Sequence, residues 1–211
     1  MKKPKREGTG YKLKNFYKRF FMTIWLIIIS AVIALDQATK WLVIAFLDKD
    51  TPLVIIKGVL RLSYVENMGA AFGSFDEHRW VFLIVSTLGI IGMLVYLLFF
   101  RPKSKWACTA LSMIIGGGIG NMIDRTFYKG TLPHTAGKNV VIDFIDFCAF
   151  PDIWPWVFNV ADSFVCVGAG ILMAWCIFSF IAECKADKAK TVGQSALDEN
   201  ESGKEDTVEK Q

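Results

Sequence analysis

Histidine is almost missing from this chain, and cysteine occurs in an odd number. The two histidines, His78 and His134, fall between the long apolar runs, where each reads as a solvated loop residue rather than a ligand. Five cysteines do not make a disulfide framework, no pair has zinc-site spacing, and Cys166 and Cys176 lie within an apolar run. No internal repeat is present. The string Gly116-Gly117-Gly118-Ile119-Gly120 fails the dinucleotide fingerprint and has no Lys-Ser/Thr ending of a phosphate-binding loop. These absences remove the disulfide scaffold, the zinc module and the nucleotide-binding domain from consideration.

Formal charge is also absent over a long stretch, Trp80 to Phe100. At about 1.5 Å of rise per residue that run covers the roughly 30 Å hydrocarbon core of a bilayer. Three further runs qualify: Phe20 to Leu47 interrupted by Asp36 and Lys40, Trp106 to Ile123, and Val157 to Ala182 interrupted only by Asp162. The chain is 53% hydrophobic, with 17 Phe and 7 Trp, and much of its apolar content is packed into these runs. It therefore reads as an integral membrane protein of four helices. The first run follows a basic start but lacks a small-x-small cleavage site and resumes after Asp36, so it is expected to be a retained helix.

Lys and Arg cluster beside the membrane ends: eight in residues 1–19, three in 101–105, and Lys185, Lys188 and Lys190 after the last run. This distribution puts both termini in the cytoplasm and the segments 48–79 and 128–156 outside. The formal net charge of +4 is then mostly topological, and a nucleic-acid surface, which needs basic and aromatic residues on one solvated face, is not supported. Residues 1–19 are expected to be a mobile basic cytoplasmic tail attracted by anionic lipid head groups. Residues 183–211, charged and poor in aromatics, are expected to be a disordered cytoplasmic tail. In the outer segments, alternation and β-branched residues predict strands near 53–66 and 139–147, a small sheet on the outer, periplasmic face. Trp154-Pro155-Trp156 suits an interfacial anchor.

An ionisable residue inside a membrane segment is a functional hypothesis by default. Asp162 is such a residue, expected about one turn below the outer surface, and Asp143 lies nineteen positions upstream on the second predicted strand. Two neighbouring carboxylates resist ionising together, so a pair can act as acid and base by sharing a proton. An offset of three reverses the face of a strand, which separates Asp143 from Asp146. Asp36 and Lys40, four apart on one helix face, form either a local ion pair or the support of an outer site. Asn67, with Gly69, Ala71 and other small residues after it, ends the first outer strand in either a self-satisfied turn or a peptide-binding edge. Gly116 and Gly120 have the spacing of closely touching transmembrane helices. Asn121, Asp124 and Arg125 follow, with Arg125 free to pair Asp124, another carboxylate or a peptide carbonyl.

In order, Asp36-Gln37-x-x-Lys40, Asn67-x-Gly69-x-Ala71-Phe72, Gly117-x-x-Gly120-Asn121-x-x-Asp124-Arg125, Ile142-Asp143-Phe144 and Phe158-Asn159-x-Ala161-Asp162-Ser163 resemble the motif series of lipoprotein signal peptidase, also called signal peptidase II. The resemblance covers about residues 20 to 182, which it implies form one four-helix membrane peptidase domain. It implies an intramembrane aspartic endopeptidase of the bacterial cytoplasmic membrane, active at its outer face, that cuts prolipoproteins just before a cysteine carrying a diacylglyceryl group. The catalytic pair falls on Asp143 and Asp162, with no metal or cofactor. Asn67, Asn121, Arg125 and Asn159 would shape the peptide site, Asp36 and Lys40 would support it, and the cyclic peptide globomycin would inhibit. Two departures stand out: a longer link, Thr126 to Lys138, before Asp143, and Ile142 where the family usually has Val. A rival reading from another class is a small proton-coupled transporter with Asp36, Lys40, Asp124 and Asp162 lining a relay.

Overall fold

The computed structural model describes residues 8–69 and 79–208. Helix α1 (Gly8–Phe46) leads through β1 (Leu53–Ile56) and β2 (Leu60–Asn67) to α2 (Arg79–Val95), whose last turn widens into a π-turn at Tyr96–Phe100. That turn is closed by Arg101, in the left-handed region with φ 51°. Helix α3 (Lys105–Phe127) begins at Ser104, whose hydroxyl accepts from the Ala107 amide at 3.3 Å. Strands β3 (Val141–Phe147) and β4 (Val157–Phe158) precede α4 (Val160–Val208).

Among the described residues, four helical stretches are long and apolar enough to cross a membrane: Met22–Phe46, Leu83–Phe100, Lys105–Phe127 and Val160–Lys188. Large apolar side chains such as Leu88, Phe99, Phe178 and Phe180 are exposed on them, as lipid-facing surface requires. Helix α3 is the inner one, over half buried, and its small residues explain why. A Cβ on Gly116 would stand 2.8 Å from Val32 Cβ of α1, and one on Gly117 would stand 2.4 Å from the Ala161 carbonyl oxygen of α4. Only hydrogen side chains let three backbones approach this closely.

The four strands form one antiparallel sheet in the order β1-β2-β3-β4. It joins the C-terminal ends of α1 and α3 to the start of α4, so strands and helix ends meet at one side of the bundle. One extra residue in β2 between Leu62 and Val65 breaks the β2–β3 register. This bulge shifts which side chains share a face. Beneath the sheet, Tyr64, Val140, Ile142 and Phe144 pack with Val43 of α1 as a buried apolar cluster. Trp154 and Trp156 stack edge to face at 5.1 Å, as partly exposed indoles.

Several boundaries differ from the sequence reading. Residues 8–19, expected to be a mobile tail, belong to α1. Residues 183–208, expected to be disordered, continue α4. In both places a helix already nucleated by an apolar span propagates into polar residues at little cost, since extension adds one hydrogen bond per residue fixed. Helix α3 runs past Ile123 to Phe127 and so carries Asp124 and Arg125, while α4 starts at Val160 because Phe158 pairs with Ile145 in the sheet. The chain divides into two compact units, Met1–Ile171 and Leu172–Gln211. The first carries the sheet and every site residue considered below. Ala71 and His78 lie outside the described residues.

Candidate active site

Where α4 begins, Asn159 and Asp162 cap the helix reciprocally. The Asp162 amide donates to Asn159 Oδ1 at 2.9 Å, and the Asn159 amide donates to Asp162 Oδ2 at 3.2 Å. This is a capping box built from an amide and a carboxylate three residues apart. A third orphan donor of that turn, the Ala161 amide, reaches Asp36 Oδ1 at 2.9 Å. Asp36 of α1 therefore docks the start of α4, through an anion placed where the helix dipole favours one.

Lys40 holds the other side of Asp36. Its Nζ lies 2.9 Å from Asp36 Oδ2, 2.9 Å from Asp124 Oδ2, and donates to Asn121 Oδ1 at 3.0 Å. The three donors of an ammonium thus meet three acceptors in a fully enclosed setting, the condition under which buried charge is tolerated. Gln37 tightens the cluster by donating to Asp124 Oδ1 at 2.9 Å and to the Gly120 carbonyl at 3.2 Å. Gly120 is obligatory beside it, because a Cβ there would stand 2.6 Å from Asp36 Oδ2.

From this base the network extends to both acids. Asn121 Nδ2 donates to Asp162 Oδ1 at 2.7 Å. Asn159 Nδ2 donates to Asn121 Oδ1 at 2.9 Å and to Asp143 Oδ1 at 2.6 Å. From the sheet, Asn67 Nδ2 donates to Asp143 Oδ2 at 2.7 Å, and Asn67 Oδ1 accepts the Gly69 amide at 2.8 Å. That last bond orients the Asn67 amide with its NH2 toward Asp143, and it needs the turn at Gly69, whose φ of 103° only glycine adopts without strain. Asp143 and Asp162 are thus tied into one net through Asn159 and Asn121.

Asp143 is almost wholly buried, whereas Asp162 is partly open to solvent. Burial, and next the charge of Asp162, push the Asp143 carboxyl up to about 7 against the pull of Asn67, Asn159 and Lys40. Asp146, three residues on, has a separate role: it accepts from Arg61 Nε at 2.6 Å and Ser63 Oγ at 2.8 Å. Asp143 and Asp146 therefore engage different partners.

Asp124 pairs with Lys40, which the glycines of α3 let α1 bring within reach. Arg125 lines a separate cleft of ≈ 420 Å³ with Thr126, Lys129, Lys138 and Asn139, and its carbonyl accepts from Asn139 Nδ2 at 2.7 Å. Sequence reasoning did not single out Glu66 or the capping role of Asp36. Among the described residues, no group of three or more His, Cys, Asp or Glu converges as a metal site would.

Comparisons with known proteins identify the family and the fold. The family model described as signal peptidase (SPase) II matches residues 28–178. A lipoprotein signal peptidase of Halalkalibacterium halodurans is 38% identical over 149 residues, 71% of this chain and 88% of that protein. One from Caldanaerobacter subterraneus subsp. tengcongensis is 40% identical over 153 residues, 72% of this chain and 95% of the relative. A bacterial membrane enzyme solved by the in meso method at 2.3 Å shares the fold, with a TM-score of 0.64 over 76% of this chain and 91% of its own at 24% identity. The chain belongs to the signal peptidase II family.

Proposed function

We propose that this chain is an aspartic endopeptidase of the bacterial cytoplasmic membrane, which removes signal peptides from diacylglyceryl-modified prolipoproteins by cutting just before the lipidated cysteine. The observation that carries this reading is the single hydrogen-bonded net joining Asp143 on a strand to Asp162 on a membrane helix. Asp143, buried beside a second carboxylate, holds the shared proton and donates it to the developing oxyanion or the leaving amine. Asp162, more open to solvent, takes a proton from the water that attacks the scissile carbonyl. Asn67, Asn121 and Asn159 fix both carboxyl groups, while Asp36, Lys40 and Asp124 hold the helix ends that carry them. Arg125 would meet substrate from the neighbouring cleft. Lipid tails on the precursor would hold the scissile bond at one depth, a positioning effect that raises effective concentration. The basic flanks of the helices support cytoplasmic termini and a site at the outer face.

The transporter reading asks for ionisable groups along the whole crossing. Asp36 and Lys40 near the end of α1, Asp124 near the end of α3 and Asp162 at the start of α4 instead gather beside the sheet. A proton-flux measurement in liposomes separates the two. The direct test is cleavage of a lipid-modified precursor in detergent, with and without globomycin, by wild type, Asp143→Asn and Asp162→Asn. Globomycin-sensitive cleavage by wild type alone is expected; full activity in either variant rejects the dyad.

A further inference from the structure

Glu66 is a buried acid with no part in the dyad, yet it is the most heavily hydrogen-bonded carboxylate on the sheet. Its Oε2 accepts from the Thr131 amide at 2.9 Å, the Leu132 amide at 3.1 Å and the Thr135 hydroxyl. Its Oε1 accepts from the Thr131 hydroxyl at 2.8 Å and the Tyr64 hydroxyl at 2.9 Å. These donors are neutral and, Tyr64 apart, all come from the link between α3 and β3. The link is a compact structure: Gly130 donates to the Lys138 carbonyl at 2.8 Å, Gly137 donates to the Gly130 carbonyl at 3.1 Å, and Thr135 is wholly enclosed. Its polar interior is filled by a side chain that it does not itself supply. Burial alone would raise the Glu66 carboxyl, but the hydroxyls and amides of Thr135, Thr131 and Leu132 outweigh it and bring it down to about 2.

The neighbour of Glu66 is Asn67, the last residue of β2. Successive strand residues point to opposite faces. Glu66 faces the link, and Asn67 faces Asp143. Among the described residues, the pairing of β2 with β3 ends at Asn67 and Val141, so Asn67 stands at the end of the ladder. We propose that Glu66 is a positioning residue for peptide cleavage: by clamping the link onto the end of β2, it fixes Asn67 where its amide holds Asp143. The inference rests on the reading of Asp143 as catalytic.

The test uses the full chain and a lipid-modified precursor, comparing Glu66→Gln, Asn67→Ala and the double variant. The Thr131 amide lies 3.0 Å from Oε1 and 2.9 Å from Oε2, so glutamine sets an NH2 against an amide in either orientation and opens the clamp with little change of size. We expect kcat to fall roughly tenfold to a hundredfold, the scale of a small misplacement at a reacting centre. The alkaline limb of kcat/KM should move to higher pH, because a donor to ionised Asp143 is loosened. Asn67→Ala should move it the same way, and the double variant should add nothing, as residues on one path couple. An unmoved limb in Glu66→Gln overturns the proposal, whether or not kcat falls, since simple loss of fold lowers active enzyme without shifting a titration. If Glu66→Gln does not fold, Thr135→Val, which removes one donor to Glu66, carries the test: a shifted limb supports the clamp and an unshifted one overturns it. Failure of the dyad shows separately, as cleavage by Asp143→Asn. Failure of the clamp alone leaves Asp143→Asn inactive and the Glu66→Gln limb at its wild-type position.

Discussion

The two halves of the site are built by different means. Asp162 stands on a helix whose first turn is capped by its own neighbour Asn159 and docked by Asp36, so local spacing and one ion cluster place it. Asp143 stands on a strand and owes its position to Asn67, 76 residues earlier, and to Asn159, 16 residues later. A helix end can position a group from within a few residues of sequence; a strand needs partners from elsewhere. The helix half should therefore fail when its charges are unbalanced, and the strand half when its long-range supports are loosened.

The largest effect distinguishes the acids themselves. Asp143→Asn and Asp162→Asn should each lower turnover by about 10²–10⁴-fold, the range of a positioned acid or base, with the folded protein retained. A stop-point cleavage assay beside a thermal unfolding curve checks both parts. Next comes the helix half: Lys40→Met leaves Asp36 and Asp124 buried without their cation and should cost about 3–5 kcal/mol, read as a lowered unfolding midpoint in detergent. An unchanged midpoint would mean that the cluster contributes nothing to holding α4. Gly117→Ala should cost about 1–3 kcal/mol, because its Cβ collides with the Ala161 carbonyl at the turn that presents Asp162. The smallest change touches the strand half. Gly69→Ala meets open space but forces a left-handed turn on a residue with a side chain, which costs roughly 1–2 kcal/mol and should appear as reduced kcat through Asn67.

The same contrast explains what was legible in the sequence. Charged residues inside apolar runs and the four-residue spacing of Asp36 and Lys40 announce the helix half without any structure. Alternation announces the strand carrying Asp143, and the offset of three correctly separates it from Asp146, which serves Arg61 and Ser63 instead. Glu66 stayed hidden because its partners, Thr131 and Thr135, lie 65 and 69 residues away in a link without periodicity. The cation beside Asp124 was not settled by the sequence for a related reason. Arg125 is adjacent in sequence, but the glycine face of α3 lets α1 bring Lys40 closer. Helix ends were also placed too short, since composition reports solvation and not the ease with which a formed helix extends.

Acid linkage gives the halves a further contrast in sign. The Glu66 carboxyl is held down to about 2, so its contribution to stability is present above its ordinary range and is lost as pH falls toward 2. Asp143 is raised to about 7, so the fold favours its protonated form, and stability weakens as pH climbs from the ordinary carboxylate range through 7. Cleavage dependent on that proton should decline along the same alkaline limb.

Infrared titration of the Asp143 carboxyl band in wild type and Asp162→Asn tests the shared proton most directly. A coupled pair predicts a wild-type midpoint near 7 that falls clearly once the Asp162 charge is removed. A midpoint that stays where it was, or a wild-type Asp143 already ionised at pH 5, would contradict it.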